Sequence, residues 1–213
     1  MHASLAKSAK GAIPIHAIKT RELSSFLSAR GKRDAAFLKA TDFGAREGEI
    51  RMLPKADGEV AAIVFGLGDG SDPLITAALS ESLPAGTYAL ATKADNPDLA
   101  AIGWALGTYA FTRYRKKKPS GAKLVLPAGA DGARVTRIAD GVFLARNLVN
   151  TPANDMGPEE LAAAAQAVAK QHGAKISFVV GNALVKQNFP LIHAVGMGSD
   201  RAPRLIDIRW GKP

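Results

Sequence analysis

The stretch Val60-Ala61-Ala62-Ile63-Val64-Phe65-Gly66-Leu67 is continuously apolar, with Asp57-Gly58 before it and Gly68-Asp69-Gly70 after it. An apolar run of this length between turn residues is a strand covered on both faces, because a half-exposed strand would alternate. A sheet buried on both faces needs a layer of helices on each, so strands should alternate with helices around it.

They do, reading outward. Ile13–Lys19 alternates, with Ile13, Ile15 and Ala17 on one face, and is a predicted strand. Arg21–Ala29 and Arg33–Ala40 carry helical spacing and are separated by Gly31. Gly48–Leu53 is a second strand, and Ala56-Asp57-Gly58 supplies the positive φ of a hairpin turn into Val60. Asp72–Ser82 reads as a helix opening at Pro73, and Gly86–Ala91 as a strand. Asn96–Tyr114 reads as a helix, capped by Asn96, with Pro97 first and Leu99, Ile102, Leu106 and Tyr109 in one stripe. Its C-terminal end would carry a basic run, favourable against the helix dipole, before Pro119-Ser120-Gly121 stops it. Lys123–Pro127 is a further strand. Residues 11–127 are thus expected to form an α/β domain, a mixed and mostly parallel sheet with helices on both faces.

A helix over Arg134–Asn150 follows, then the loop Thr151–Pro158, whose two prolines and glycine forbid its continuation. A new helix opens at Pro158 with Glu159 and Glu160 in its first turn and ends near Gly173. Lys175–Val180 reads as a strand, Asn182–Gln187 as a short helix, and His193–Gly198 and Arg204–Trp210 as strands. Residues 158–210 hold too few layers to bury both faces of a parallel sheet. The expected organisation is an α/β domain over 1–133, a linking helix and loop over 134–157, and the incomplete start of a second α/β domain over 158–213.

The composition is that of a globular chain: 213 residues, 47% hydrophobic and 22% charged, which excludes a disordered or collagen-like protein. There is no Cys, so disulfides, zinc–thiolate sites and thiol catalysis are excluded. No apolar stretch reaches membrane-span length, and Met1–Lys19 lacks the apolar core of a signal peptide, so a cytoplasmic chain is expected. The net charge of +9 admits a polyanion partner but equally a solvated basic surface.

No side-chain constellation announces a reaction. Gly66-Leu67-Gly68-Asp69-Gly70 sits where a phosphate-binding turn would, between strand and helix. Its spacing is G-x-G-x-G and Asp69 would repel a phosphate, so a plain turn is the favoured reading. His2, His16, His172 and His193 share no metal-ligand spacing. Asp155, Glu159 and Glu160 are cap and helix-start residues, and Asp207 belongs to a strand. No residue qualifies as catalytic or as a metal ligand. Arg113, Arg115, Lys116, Lys117 and Lys118, with Tyr109, Phe111 and Tyr114 nearby, form the candidate nucleic-acid surface, against the reading of a solvated helix end.

Phe143-Leu144-Ala145-Arg146-Asn147-Leu148-Val149-Asn150-Thr151-Pro152-Ala153-Asn154-Asp155-Met156-Gly157-Pro158 is similar to the segment that joins the two domains of the leucyl aminopeptidase (cytosol aminopeptidase) family. Ala194-Val195-Gly196-Met197-Gly198-Ser199 and Pro203-Arg204-Leu205-Ile206 resemble that family's next passage, in order and spacing. The first domain resembles the family's macro-type fold only in its α/β pattern and in Leu124-Val125-Leu126-Pro127. The resemblance implies a two-metal exopeptidase that removes N-terminal residues from peptides, with zinc, manganese or magnesium activating a water. It also implies a cytoplasmic homohexamer. The family's metal-binding lysine and first aspartate lie beyond the Trp210-Gly211 position, and its N-T-D-A-E-G-R motif is absent. The chain is therefore expected to be the N-terminal portion of such an enzyme, without the two-metal site and inactive alone. The alternative is a basic α/β binding module for nucleic acid or nucleotide.

Overall fold

The structure, a computed structural model, describes residues 1–116 and 120–211. It divides into two compact units, Met1–Leu144 and Ala145–Pro213. The strands are β1 (Leu5–Ala6), β2 (Ile13–Ile18), β3 (Ile50–Pro54), β4 (Val60–Gly66), β5 (Gly86–Leu90), β6 (Ala122–Val125), β7 (Lys175–Val180) and β8 (Arg204–Arg209). The helices are α1 (Leu23–Ser28), α2 (Lys32–Ala40), α3 (Ala77–Ser82), α4 (Pro97–Gly107), α5 (Gly132–Asn150), α6 (Pro158–His172), α7 (Ala183–Lys186) and α8 (Pro190–Gly196).

Unit 1 is built on one six-stranded sheet in the order β1-β6-β5-β2-β4-β3. Every neighbouring pair is parallel except the β3–β4 hairpin. The apolar run Val60–Gly66 is β4, an interior strand flanked by β2 and the edge strand β3, and Ile63, Val64 and Phe65 are wholly buried. Successive residues of β4 serve two different cores, as the pleat requires. Ile63 and Phe65 join Ile15, Tyr88, Leu124 and the α4 residues Ile102 and Trp104 on one face. Ala62 and Val64 join Ile18, Leu38 and Phe43 on the other, covered by Leu23, Phe26 and Leu27 of α1. The expected α/β class, mostly parallel sheet and two-sided helical cover are all present.

Three of the expected elements differ, and β1 is not among those expected. First, α4 stops at Gly107 and does not reach Tyr114. Its last turn tightens onto Ala105 and Leu106, with Thr108 N–H and Oγ1 both donating to the Ala105 carbonyl. Tyr109 leaves the helical stripe and sets its ring edge-on to Phe143, at 5.1 Å between centroids. The Pro119 of the expected stop lies outside the described residues. Second, only Ala77–Ser82 of the expected 72–82 helix is α-helical. The Asp72 carboxylate accepts the Leu74 N–H at 2.8 Å, a local turn that competes with the helix. Third, the strand expected at His193–Gly198 is instead the end of α8, to Gly196, followed by a turn. A short apolar run cannot tell strand from buried helix by periodicity, and Pro190 in first position settles it for helix.

In unit 2, α6 opens as expected: the Glu160 carboxylate accepts the Gly157 N–H at 2.9 Å. It closes on Gly173 in the left-handed conformation, φ +66°. β7 and β8 pair antiparallel as a two-stranded sheet, Lys175 opposite Arg209 and Val180 opposite Arg204.

Candidate functional site

The sheet order places a crevice in unit 1. From β2 the chain moves to β4 on one side and later returns to β5 on the other. The point where strand order reverses leaves a gap outside the carboxyl ends of the strands, where ligands of open α/β sheets bind. A cavity of about 370 Å³ occupies it. Ala17, Leu67, Ile75 and Leu90 form its apolar lining, and Lys19, Glu22, Asp72, Lys93 and Asp95 its charged lining.

Backbone N–H groups hold Glu22 and Asp72, and Lys19 and Asp95 hold each other. Lys19 leaves the end of β2 with only 17% of its side chain exposed and pairs with Asp95 at 2.8 Å. That hydrogen bond holds the Asp95 carboxyl below its usual range. The lysine stem lies against Gly70, whose φ of +84° and lack of Cβ make room for it. Glu22 accepts the Lys19 N–H at 2.9 Å. Thr92 extends the β2–β5 ladder with its side chain: its Oγ1 accepts the Ala17 N–H and donates to the Ala17 carbonyl.

The Gly66–Gly70 loop borders this crevice but is no phosphate cradle. Leu67, Gly68 and Gly70 donate their N–H groups to the carbonyls of Ile18, Ala45 and Leu67. Asp69 accepts from the Ser71 hydroxyl and N–H, which hold its carboxyl below its usual range. The plain-turn reading fits.

Unit 2 carries a groove of about 420 Å³ between α6, α8 and β8, lined by Met156, Leu161, Ile192, Val195, Pro203 and Ile206 among others. Arg201 clamps the loop at its edge, donating to the carbonyls of Ala153 and Asn154 and pairing with Glu160 at 3.4 Å. A Cβ at Gly157 would overlap the Arg201 guanidinium, which would have to shift to admit it. Around the groove, apolar side chains lie open: Val195 is 89% exposed and Leu191 80%.

The candidate basic surface is not a helix end, since α4 stops at Gly107 and Arg113 and Arg115 lie on bends. Lys116 is exposed, and Lys117 and Lys118 lie outside the described residues. The Arg113 guanidinium sits 5.8 Å from the Tyr114 ring centre, and Phe111 meets Tyr114 edge-on. Both aromatic rings therefore already have partners. The histidines stay apart: His2 bonds Ser4, His16 packs on Phe26, and His193 reaches Asn182. Among the described residues no three His, Asp or Glu side chains gather where they could hold a metal. Asp207 pairs with Arg209 across 2.8 Å. No helix among the described residues is long and apolar enough to cross a membrane. Sequence reasoning missed both the crevice and the Arg201 clamp, because strand order and loop closure join residues far apart in the chain.

Comparisons with known proteins agree with one another. The family model described as M17 aminopeptidase, N-terminal domain, matches residues 13–127. That of the cytosol aminopeptidase family, catalytic domain, matches residues 143–213. A probable cytosol aminopeptidase of Streptomyces coelicolor is 33% identical over 85% of this chain and 43% of its own length. The crystal structure of a cytosol aminopeptidase from Coxiella burnetii superposes with a TM-score of 0.88 at 35% identity, over 97% of this chain and 46% of that one. The bottromycin maturation enzyme BotP in complex with Mn aligns at TM-score 0.75 and 25% identity, over 94% of this chain and 45% of that one. The chain thus spans less than half the length of these relatives.

Proposed function

The chain belongs to the M17 cytosol aminopeptidase family, and from that premise we propose that it supplies the N-terminal domain and the opening of the catalytic domain of a metal-dependent peptide hydrolase. The reaction is removal of N-terminal residues from peptides. The observation that carries this reading is the ordered pair of family matches, N-terminal domain then catalytic domain, on a chain under half its relatives' length. The open apolar face of unit 2 supports it. Leu191 and Val195 are far more exposed than an independent fold would leave them side by side, and such a face marks a packing surface. More catalytic-domain polypeptide would cover it.

The residues described here do not fit a two-metal centre, for want of a cluster of carboxylates or histidines. The divalent ions, of manganese, zinc or magnesium, would be held by the remainder of the catalytic domain. Peptides are then the substrates, and a cytoplasmic homohexamer the assembly. No observation favours the nucleic-acid module over this reading.

Two measurements test it. The purified chain with Mn²⁺ or Zn²⁺ should not hydrolyse leucine p-nitroanilide, and metal-dependent turnover would refute the division of labour. Leu191→Lys with Val195→Lys should lower dye binding and self-association while circular dichroism stays unchanged. Association that persists in the double variant would remove the packing role of this face.

A further inference from the structure

We propose that the crevice of unit 1 is a binding site for a small zwitterion with an apolar side chain, a free amino acid such as leucine. The inference goes beyond peptide hydrolysis: the crevice lies wholly within residues 17–100, in the part of the chain that matches the N-terminal domain.

The lining has three chemistries, and each finds one part of such a ligand. Lys19 and Asp95 stand side by side at 2.8 Å, presenting one positive and one negative charge to the same cavity. A ligand with adjacent ammonium and carboxylate groups aligns head-to-tail on that pair, each of its charges on the opposite one. Lys93 adds a second ammonium that makes no hydrogen bond or ion pair among the described residues. The backbone N–H groups of Lys93, Ala94 and Asp95 also donate to nothing among the described residues. These donors suit the ligand carboxylate. Glu22 and Asp72 reinforce the acceptor side for its ammonium. Ala17, Leu67, Ile75 and Leu90 offer the apolar surface its side chain needs.

The same lining disfavours other small ligands. A plain anion would meet three carboxylates, and a plain cation two lysines, so either brings like charges together at the cavity wall. The volume of about 370 Å³ lies in the lower part of the range of small-molecule sites. The position, outside the strand ends where sheet order reverses, is where α/β sheets hold ligands.

The test is thermal unfolding and calorimetry of the full chain in chelator, so that no metal chemistry enters. L-leucine should raise the unit 1 midpoint by about 5 °C or more when present at roughly a hundredfold over Kd. Leucinamide, which lacks the carboxylate, and 4-methylpentanoate, which lacks the ammonium, should bind at least tenfold more weakly. Lys93→Ala should weaken leucine binding about tenfold. Ala94→Trp, on a loop at the cavity wall, should abolish it while the ligand-free midpoint stays unchanged. The proposal is overturned if leucine fails to bind at up to ~10 mM, or if inorganic phosphate or 4-methylpentanoate matches it. It is equally overturned if Ala94→Trp, with an unshifted midpoint, binds leucine as the parent does. Failure here would leave the aminopeptidase reading standing, since no readout depends on hydrolysis.

Discussion

Replacing Thr92 by Val tests how the crevice is held open. Thr92 lies just beyond β5, and its hydroxyl makes both hydrogen bonds that a backbone neighbour would otherwise give Ala17, at 3.1 and 3.0 Å. Val keeps the shape and β-branching and deletes the hydroxyl, so the two Ala17 groups lose their partner. Each such bond contributes about 0.5–1.5 kcal/mol net, for a loss of roughly 1–3 kcal/mol. Burying the added methyl of a half-buried side chain returns about 0.5 kcal/mol, leaving a destabilisation of about 0.5–2.5 kcal/mol. For a chain of this size that lowers the thermal midpoint by roughly 1–10 °C. Urea unfolding followed by tryptophan fluorescence reads it, because Trp104 is fully buried in unit 1 while Trp210 is 77% exposed. A Trp210→Phe background makes the signal report unit 1 alone. The midpoint should fall at constant m-value, and Thr92→Ser should restore it. If the valine variant unfolds at the parent concentration of urea, the side chain does not extend the ladder and the crevice wall is held otherwise.

Gly107→Ala should destabilise unit 1 by about 1–2 kcal/mol although alanine is the better helix former, because its Cβ would meet the Ala77 carbonyl and Ser80 Oγ; a higher urea midpoint would contradict the close α3–α4 approach. Acidification should weaken unit 1 below pH ~6.5. Burial lowers the pKa of His2 and His16 in the fold, so the unfolded chain binds protons first and stability falls as pH drops toward the folded values. A His2→Gln, His16→Gln double variant should flatten that slope, and an unchanged slope would clear both histidines. Arg201→Ala should cost about 1 kcal/mol, discounted for partial exposure, and should speed hydrogen exchange over residues 152–157, the loop it clamps; unaltered exchange there would show that the loop holds itself.

The elements whose formation is local were legible. The capping of α4 by Asn96, the Pro158 start of α6 and its Gly173 end are read from single residues, and all three appear in the fold. The errors fall where a distant group decides. α4 stops early at Gly107, packed against the Ala77 carbonyl, and Tyr109 finds Phe143. The run at His193–Gly198 is compatible with either strand or helix until Pro190 and the groove of unit 2 are counted.

The sequence by itself determined the class of the fold, through the doubly buried run at Val60–Leu67, and the family, through the segment from Phe143 to Pro158 and the passage at Ala194–Ile206. Both are properties of contiguous residues, fixed by periodicity and motif. The tertiary structure alone decided the strand order β5-β2-β4, and with it the crevice where Lys19, Lys93 and Asp95 converge. Their meeting depends on which strands pair across long crossovers, and nothing local in the chain encodes that choice.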